Sequence, residues 1–183
     1  MPSFPELRDP LADAAVALRL ASERDIPEIL IAYQDDPQLH LRMGQSRPPS
    51  AAELGRLAER AEADRTAGAR LTLTVLEPAS DVCRGQLHID QVDWDGARAE
   101  LRIWLAPQSR GKGLATSALR LAGGWLLRSC GLERVQILAD PENQPMIAAA
   151  ESAGFVREGV LRGYARGPTG RIDAVVLSLL PAI

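Results

Sequence analysis

The sequence has few of the residues that build metal centres or disulfide frameworks. Its two cysteines, Cys83 and Cys130, lie far apart and have no neighbours at metal-ligand spacing. Its two histidines are too few for a histidine-rich metal centre. It also lacks an apolar run of membrane-spanning length and a signal segment at Met1. We therefore predict a cytoplasmic protein with no bound metal and no membrane partner.

The chain also lacks a strong excess of charge of either sign. Its net charge is −3 and its isoelectric point is near 5.5, which argues against a general nucleic-acid binder. With 183 residues, of which 46% are hydrophobic and 25% charged, it has the size and composition of one globular domain. We expect that domain over residues 15–183. Residues 1–14 hold three prolines and are expected to form a flexible arm.

Hydrophobic periodicity and turn residues predict one mixed α/β (α+β) domain. Asp25 with Glu28, and Ser50 with Glu53, are signals for two helix starts. The pattern indicates a mixed, mostly antiparallel sheet of about seven strands flanked by about four helices. The predicted strands cover residues 16–20, 71–76, 85–90, 99–105, 134–139, 155–160 and 172–180. We expect a long loop through Tyr164 to join the last two strands.

The segment Gln108-Ser109-Arg110-Gly111-Lys112-Gly113 lies between a predicted strand and a predicted helix that begins near Leu114. Such a loop leaves unpaired backbone N–H groups at the helix N-terminus, where a phosphate or pyrophosphate can bind. The two glycines let the backbone approach the anion, and the two basic side chains add positive charge. The alternative is a plain strand-to-helix turn with two solvated basic residues.

This segment resembles the Q/R-x-x-G-x-G/A signature of the Gcn-five-related N-acetyltransferases (GNAT), and the resemblance runs from about residue 16 to residue 180. Asn143, followed eleven residues later by Gly154-Phe155, matches the N…GF pattern of that family. Residues 158–164 and 173–180 resemble the branch that acetylates the N-termini of ribosomal proteins (RimJ/RimL-like). The resemblance implies an acetyl-CoA-dependent N-acetyltransferase that transfers the acetyl group directly to a primary amine.

The resemblance also implies how acetyl-CoA would be held as co-substrate. Its pyrophosphate would lie on the N–H groups of residues 110–115, and its pantetheine arm would pair with residues 103–105. That strand would splay from residues 135–139, and an amide near Leu105 would polarise the acetyl carbonyl. The implied cofactor-binding residues are Ile103, Trp104, Leu105, Gln108, Ser109, Arg110, Gly111, Lys112, Gly113, Leu114, Ala115 and Asn143. For Asn143, capping of the following helix is an alternative role.

Two carboxylates are candidates for the general base that removes a proton from the attacking amine. Glu158 lies where the N-terminal acetyltransferase branch carries a glutamate suspected of this role, and we take it as the first candidate. Glu100 begins the strand along which the pantetheine would lie. The alternative for each is an ion pair, of Glu100 with Arg98 or Arg102, and of Glu158 with Arg157 or Arg162.

The chain departs from the family at the usual general acids. Many members carry a tyrosine seven residues after the asparagine, where this chain has Ala150. The N-terminal branch often has a serine three residues after it, where this chain has Met146. Water or Tyr164 would then protonate the CoA thiolate, or the reaction would proceed without a dedicated acid. These losses keep open an alternative function, an acyl-CoA-binding regulatory module with little or no turnover.

The sequence does not identify the amine acceptor. A protein N-terminus and a small-molecule amine both remain compatible with the residues, and so do a monomer and a homodimer.

Overall fold

The computed structural model describes residues 3–167 and 170–181, and it builds them around one eight-stranded sheet. The strands are β1 (Leu11–Ala12), β2 (Ala17–Leu20), β3 (Leu71–Leu76), β4 (Gly85–Asp93), β5 (Arg98–Leu105), β6 (Arg134–Ala139), β7 (Val156–Gly167) and β8 (Gly170–Leu179). The helices are α1 (Ile26–Asp35), α2 (Leu39–Arg42), α3 (Ala51–Thr66), α4 (Leu114–Arg128) and α5 (Gln144–Ser152). The predicted mixed α/β domain is confirmed, with a short extra strand, β1, and a short extra helix, α2.

The sheet has the order β1-β2-β3-β4-β5-β6-β8-β7. Every neighbouring pair is antiparallel except β5 and β6, which run parallel because α4 connects them as a crossover. The swap of β7 and β8 at the end of the order leaves β7 as an edge strand. The single parallel pair is therefore in the interior of the sheet, with antiparallel strands on either side.

Helices cover both faces of the sheet, and a hydrophobic cluster lies on each side. The larger cluster joins α4 and α5 to the sheet and includes the fully buried Leu101, Leu126 and Ile137. The smaller cluster packs Ile29 and Tyr33 of α1 against Trp104 of β5. Because side chains alternate along a strand, neighbouring residues of β5 belong to different clusters.

The helix starts follow the predicted signals. At the N-terminus of α3, the Glu53 amide donates to Ser50 Oγ at 3.3 Å and the Ser50 amide donates to Glu53 Oε2 at 2.8 Å, which is a complete capping box. Helix α1 begins directly after Asp25, as predicted. The Asp25 side chain makes no cap to α1, however, because it turns toward the sheet.

The arm expected over residues 1–14 contains a packed aromatic residue. Phe4 is 2% exposed, and its ring centroid lies 5.3 Å from that of Trp94 and 6.2 Å from that of Trp125. The Trp94 indole N–H donates to the Gly68 carbonyl at 2.8 Å, which fixes its ring. This contact and strand β1 attach the described part of the arm to the domain.

The expected loop through Tyr164 is wrong, because β7 continues as far as Gly167. The strand stays paired with β8 by shifting its register between Leu161 and Ala165. Gly163 sits at this irregularity with φ +57°, and its amide donates to Asp173 Oδ1 at 2.7 Å. A glycine in the left-handed region lets the strand bulge without ending.

No helix in the described part of the chain is long and apolar enough to cross a membrane. Within residues 3–167 and 170–181, no group of three or more His, Cys, Asp or Glu side chains is placed to hold a metal ion.

Asp25 binds side chains of β2 and β3 from a buried position. Its carboxylate accepts from Arg19 at 2.6 and 3.0 Å and from Thr74 Oγ1 at 2.6 Å, and its side chain is 2% exposed. Burial alone would raise the pKa of Asp25, but these hydrogen bonds and that from the Ser22 amide hold it below its usual value.

We expect Asp25→Asn to lower the free energy of unfolding at pH 7 by about 3 kcal/mol, because it removes the buried ion partner of a largely buried Arg19 and leaves only the exposed Asp81. The folded pKa lies below the unfolded value of about 3.9, so the extra stability of the wild type is present above that pH and is lost as the pH falls further. Urea unfolding at pH 7 and pH 3 measures both effects.

The matched control is Asp81→Asn. Asp81 also pairs with Arg19, at 2.9 Å, but its side chain is 60% exposed, so its loss should cost less than about 1 kcal/mol. Equal losses in the two variants would contradict a special role for the buried carboxylate.

Candidate functional site

A wedge-shaped gap opens between β5 and β6. The two strands pair only from Arg98 to Glu100 on β5 and from Arg134 to Gln136 on β6. Beyond this point β5 continues to Leu105 and β6 to Ala139 without pairing to each other. The predicted splay between these strands is therefore present, and it exposes unpaired strand edges to the gap.

One edge of β5 offers backbone amides to this gap. The Ala106 amide donates to the Arg84 carbonyl on the β4 side at 2.8 Å. Since backbone groups alternate along a strand, the amides of Leu105 and Ile103 face the opposite side, toward β6, beyond the last paired residues. An extended molecule in the gap can pair with these groups as an added strand does.

The glycine loop lies at the wide end of the gap, directly before α4. Gly111 and Gly113 have φ of +73° and +79°, and no atom lies within 4 Å of the position that a Cβ would take at either. Gly113 is the N-cap of α4, where no side chain caps the helix. The first amides of α4 therefore point into open space with the positive end of the helix dipole behind them, as an anion site requires.

The two basic residues of the loop are already paired with carboxylates. Arg110 Nε donates to the Leu105 carbonyl at 3.0 Å, and its Nη2 donates to Asp36 Oδ2 at 2.5 Å. Lys112 Nζ lies 3.6 Å from Glu77 Oε1. The Arg110 side chain thus holds the end of β5. The Ser109 and Arg110 amides donate to the Ala106 and Pro107 carbonyls at 2.9 and 3.3 Å, so the donors left for an anion are the backbone amides from Gly111 onward.

The remaining residues of the expected cofactor site form a continuous path from β5 to α4. Their side chains are disposed in different ways. Trp104, Ser109 and Leu114 are buried, Ile103 and Ala115 are half-buried, and Gln108 is exposed. Asn143 lies at the N-terminus of α5, where its Oδ1 accepts from the Met146 amide at 3.3 Å, so the capping role is present.

A cavity of about 440 Å³ lies between α1, α3 and the sheet, on the face that carries Trp104. Ile29 and Leu54 contribute apolar helix surface, and His88 and Arg102 contribute polar groups from the sheet. Arg102 is held by Asp90 and donates to the Met43 carbonyl at 3.2 Å. Burial lowers the pKa of His88, which keeps its imidazole neutral. The cavity therefore offers mainly apolar surface, and the charge of Arg102 within it is already paired.

Glu100 lies on the same face, at the closed end of the gap. Its Oε2 accepts from Gln136 Nε2 at 3.5 Å, across the last paired residues of β5 and β6. Burial raises the pKa of Glu100, and the weak bond from Gln136 only partly offsets that effect. The ion pairs expected with Arg98 or Arg102 are not formed, since Arg98 pairs with Asp93 and Arg102 with Asp90.

Glu158 lies on β7, and β6 and β8 separate that strand from β5. Its carboxylate accepts several strong hydrogen bonds. Arg134 binds its two carboxylate oxygens at 2.8 and 2.6 Å, and Ser178 Oγ donates to Oε1 at 2.6 Å. The Arg134 guanidinium and the Ser178 hydroxyl lower the pKa of Glu158 to about 2. The expected ion partners, Arg157 and Arg162, make no contact with it, because Arg134 reaches across from β6.

The structure places no customary general acid in the described part of this site. Ala150 is completely buried on α5, and Met146 packs partly against the larger core cluster. Tyr164 is 53% exposed on β7 and makes no hydrogen bond through its hydroxyl to the described residues.

Sequence reasoning missed two residues that shape the site, Asp36 and Gln136. Asp36 directly follows α1 and holds the side chain of Arg110. Gln136 was read only as a strand residue. A polar residue in a strand that is otherwise buried was the one available signal for it.

Comparison with known proteins identifies this arrangement. The model of the acetyltransferase (GNAT) domain family matches residues 16–156. An N-acetyltransferase of Bacillus licheniformis, p20, is 25% identical over 158 residues, which cover 86% of this chain and 89% of that protein.

Solved structures show the same fold. RimJ of Mycobacterium smegmatis, in complex with a CoA disulfide, superposes with a TM-score of 0.81 at 22% identity, over 90% of this chain and 81% of that one. RimL, an acetyltransferase of ribosomal L7/L12 in complex with coenzyme A, gives a TM-score of 0.82 at 16% identity, over 94% and 98% of the two chains. The structural neighbours therefore include both named enzymes of the branch that the sequence resembles.

The two carboxylates should titrate far apart. In the folded protein we expect a carboxyl ¹³C NMR titration to give Glu158 a pKa of about 2 and Glu100 a pKa above its usual value. In Arg134→Gln the pKa of Glu158 should rise toward the ordinary value of about 4.3, because its bidentate partner is gone. Arg157→Gln removes an arginine on the same strand that pairs with no described residue, and it should leave the pKa of Glu158 unchanged. A Glu158 pKa that stays near 2 without Arg134 would show that the ion pair is not the cause.

Proposed function

The chain belongs to the GNAT acetyltransferase family, and we propose that it transfers an acetyl group from acetyl-CoA directly to a primary amine. The observation that carries this proposal is the gap between β5 and β6, which ends at an uncapped helix N-terminus behind two open glycines. These features fit an extended thioester cofactor with a pyrophosphate at one end. Both RimJ and RimL have been solved with a form of coenzyme A.

The residues present fit each part of acetyl-CoA. The amides of the Gly111–Ala115 segment would bind the pyrophosphate, with Lys112 close enough to add charge. The gap-facing amides of β5 would pair with the pantetheine arm. Because this arm is long, the thioester would lie beyond Leu105, toward Ile103 and the closed end of the gap. One of these amides would then donate to the carbonyl oxygen of the thioester and stabilise its developing negative charge.

The reaction needs one proton acceptor. The amine nitrogen attacks the thioester carbonyl carbon, a C–N bond forms, the C–S bond breaks, and the amine gives up a proton. Glu100 is the better placed of the two candidate bases, since it lies where the gap closes and burial raises its pKa. Glu158 is a weaker base because Arg134 stabilises its charged form. Water would protonate the leaving thiolate.

The second candidate function is an acyl-CoA-binding module without turnover. The buried Ala150 and the half-buried Met146 favour it, because they replace the two customary acids. Release of free CoA thiol from acetyl-CoA in the presence of a panel of amines separates the two functions. Cofactor binding without thiol release would support the binding module.

Cofactor binding should depend on Gly111. We expect acetyl-CoA at a hundredfold excess over its Kd to stabilise the wild type by about 2.7 kcal/mol, and Gly111→Asp to abolish this effect through steric block and charge repulsion. Thermal unfolding with and without acetyl-CoA measures both.

Gly131→Asp is the matched control for backbone strain. Gly131 has φ +70° and open space around its Cβ position, but it lies past the opposite end of α4. This variant should bind acetyl-CoA normally. Normal binding by Gly111→Asp would place the pyrophosphate elsewhere.

Turnover should depend on Glu100 in a pH-dependent way. Glu100→Gln keeps the shape of the side chain but removes its basicity, so kcat at neutral pH should fall by about 10²–10⁴-fold with little change in acetyl-CoA affinity. The defect should shrink as the pH rises, because more of the amine is already deprotonated. In the wild type, activity should be lost as the pH falls through the raised pKa of Glu100, since the base becomes protonated.

Glu158→Gln, measured in parallel, tests the rival base. A large loss in this variant with normal turnover in Glu100→Gln would transfer the role to Glu158. If neither variant is impaired, the rate comes from positioning a neutral amine against the thioester.

A further inference from the structure

The edge of the sheet at β7 is both long and apolar. Val156, Val160, Leu161 and Tyr164 are exposed by 67%, 44%, 40% and 53%. An edge strand also presents a row of unpaired backbone N–H and C=O groups, which natural proteins usually protect. Bare apolar side chains beside such a row favour the addition of another extended chain.

The same edge carries positive charge in a chain whose net charge is −3. Arg157, Arg162 and Arg166 are exposed, and none of their side chains enters an ion pair or a hydrogen bond with residues 3–167 or 170–181. The acidic residues nearby are engaged, since Glu158 binds Arg134 and Asp173 accepts from the Gly163 amide. We call Arg157, Val160, Leu161, Arg162, Tyr164 and Arg166 the β7 edge surface.

An open trough extends from the β7 edge surface over the sheet as far as Gln136 of β6, which borders the gap. It has a volume of about 470 Å³ and runs over β6, β8 and β7, with Leu138, Val176 and Leu161 among its lining residues. Gln136 also lines it, and Gln136 donates to Glu100 at the closed end of the gap. A chain whose first residue lies near Glu100 can therefore continue through this trough to β7.

We propose that the β7 edge surface binds an acidic, extended polypeptide segment, the part of a protein acceptor that follows its N-terminus. The proposal rests on the proposed function, because it places the acceptor amine in the gap. The unpaired arginines bind carboxylates of the segment, and the strand edge pairs with its backbone. The apolar side chains between the arginines contact its alternate residues.

The charges favour this occupant over two others. A second copy of the chain, paired edge to edge, would bring Arg157, Arg162 and Arg166 against the same three residues, and like charges across a strand pair are destabilising. An RNA would find positive charge, but it cannot use the backbone hydrogen-bonding row. The net negative charge of the whole chain also opposes the long-range attraction of a polyanion.

The test uses two peptides that share their first residues and differ only downstream, where one carries glutamates and the other glutamines. Fluorescence anisotropy with a C-terminal label measures binding to the full chain. We expect the acidic peptide to bind about five- to tenfold more tightly, the range for two or three exposed ion pairs, and the preference to shrink at high salt. In Arg162→Gln/Arg166→Gln the preference should fall below about twofold.

Arg56→Gln/Arg60→Gln removes two exposed arginines from α3 whose side chains pair with no described residue, and it should keep the wild-type preference. A preference that persists in Arg162→Gln/Arg166→Gln, or that is lost equally in the α3 control, overturns the proposal. Displacement of the acidic peptide by an oligouridylate at equal charge concentration also overturns it, in favour of a nucleic-acid surface.

A turnover measurement keeps this proposal separate from the proposed function. With a short amino-acid amide as acceptor, Arg162→Gln/Arg166→Gln should retain wild-type kcat/KM, because such an acceptor does not reach β7. Acetyl transfer to the short acceptor with no charge preference in peptide binding would refute the β7 surface alone. Charge-dependent peptide binding with no transfer to any amine would refute the acetyltransferase function and leave the binding surface supported.

Discussion

The separation of β5 from β6 after Glu100 and Gln136 determines how the rest of this site is arranged. In an ordinary parallel pair the two edges would saturate each other, and no backbone donor would be left for a ligand. Here the pairing stops, while both strands continue under the larger core cluster through Leu101 and Ile137. Burial of one face of each strand in the core offsets the missing hydrogen bonds between β5 and β6. The gap, the free amides and the position of α4 all follow from this one interruption.

The loop that precedes α4 is fixed to the other side of the molecule. Arg110 binds the Leu105 carbonyl and Asp36, and Asp36 in turn binds Arg42 of α2. Burial would raise the pKa of Asp36, but the two arginines hold it below its usual value, so the carboxylate is charged at neutral pH. These contacts join the end of β5 to the end of α1 and to α2.

Local patterns predicted the features whose causes are local. The Ser50–Glu53 capping box, the start of a helix at Leu114 after the glycine loop and the alternation of β5 each depend on a few neighbouring residues, and all are present. The ion partners of the charged residues could not be predicted from local patterns. Arg110 meets Asp36 across 74 positions of the sequence, and Glu158 meets Arg134 across 24. Sheet order brings such groups together, and here the order of β6, β8 and β7 was not evident from the sequence.

The two candidate bases show how this sheet order determines chemistry. Glu100 and Glu158 lie on one face of the sheet. In the sequence, each of these glutamates has an arginine on either side. In the structure, the arginines beside Glu100 pair with Asp90 and Asp93, which leaves its half-buried carboxylate with only the Gln136 amide as hydrogen-bond partner. Glu158 instead receives a bidentate guanidinium and a hydroxyl. Burial without a cation favours the neutral form and raises proton affinity, whereas a paired cation does the opposite. One side chain is thereby suited to accept a proton, and the other to hold β6, β7 and β8 together beside the trough.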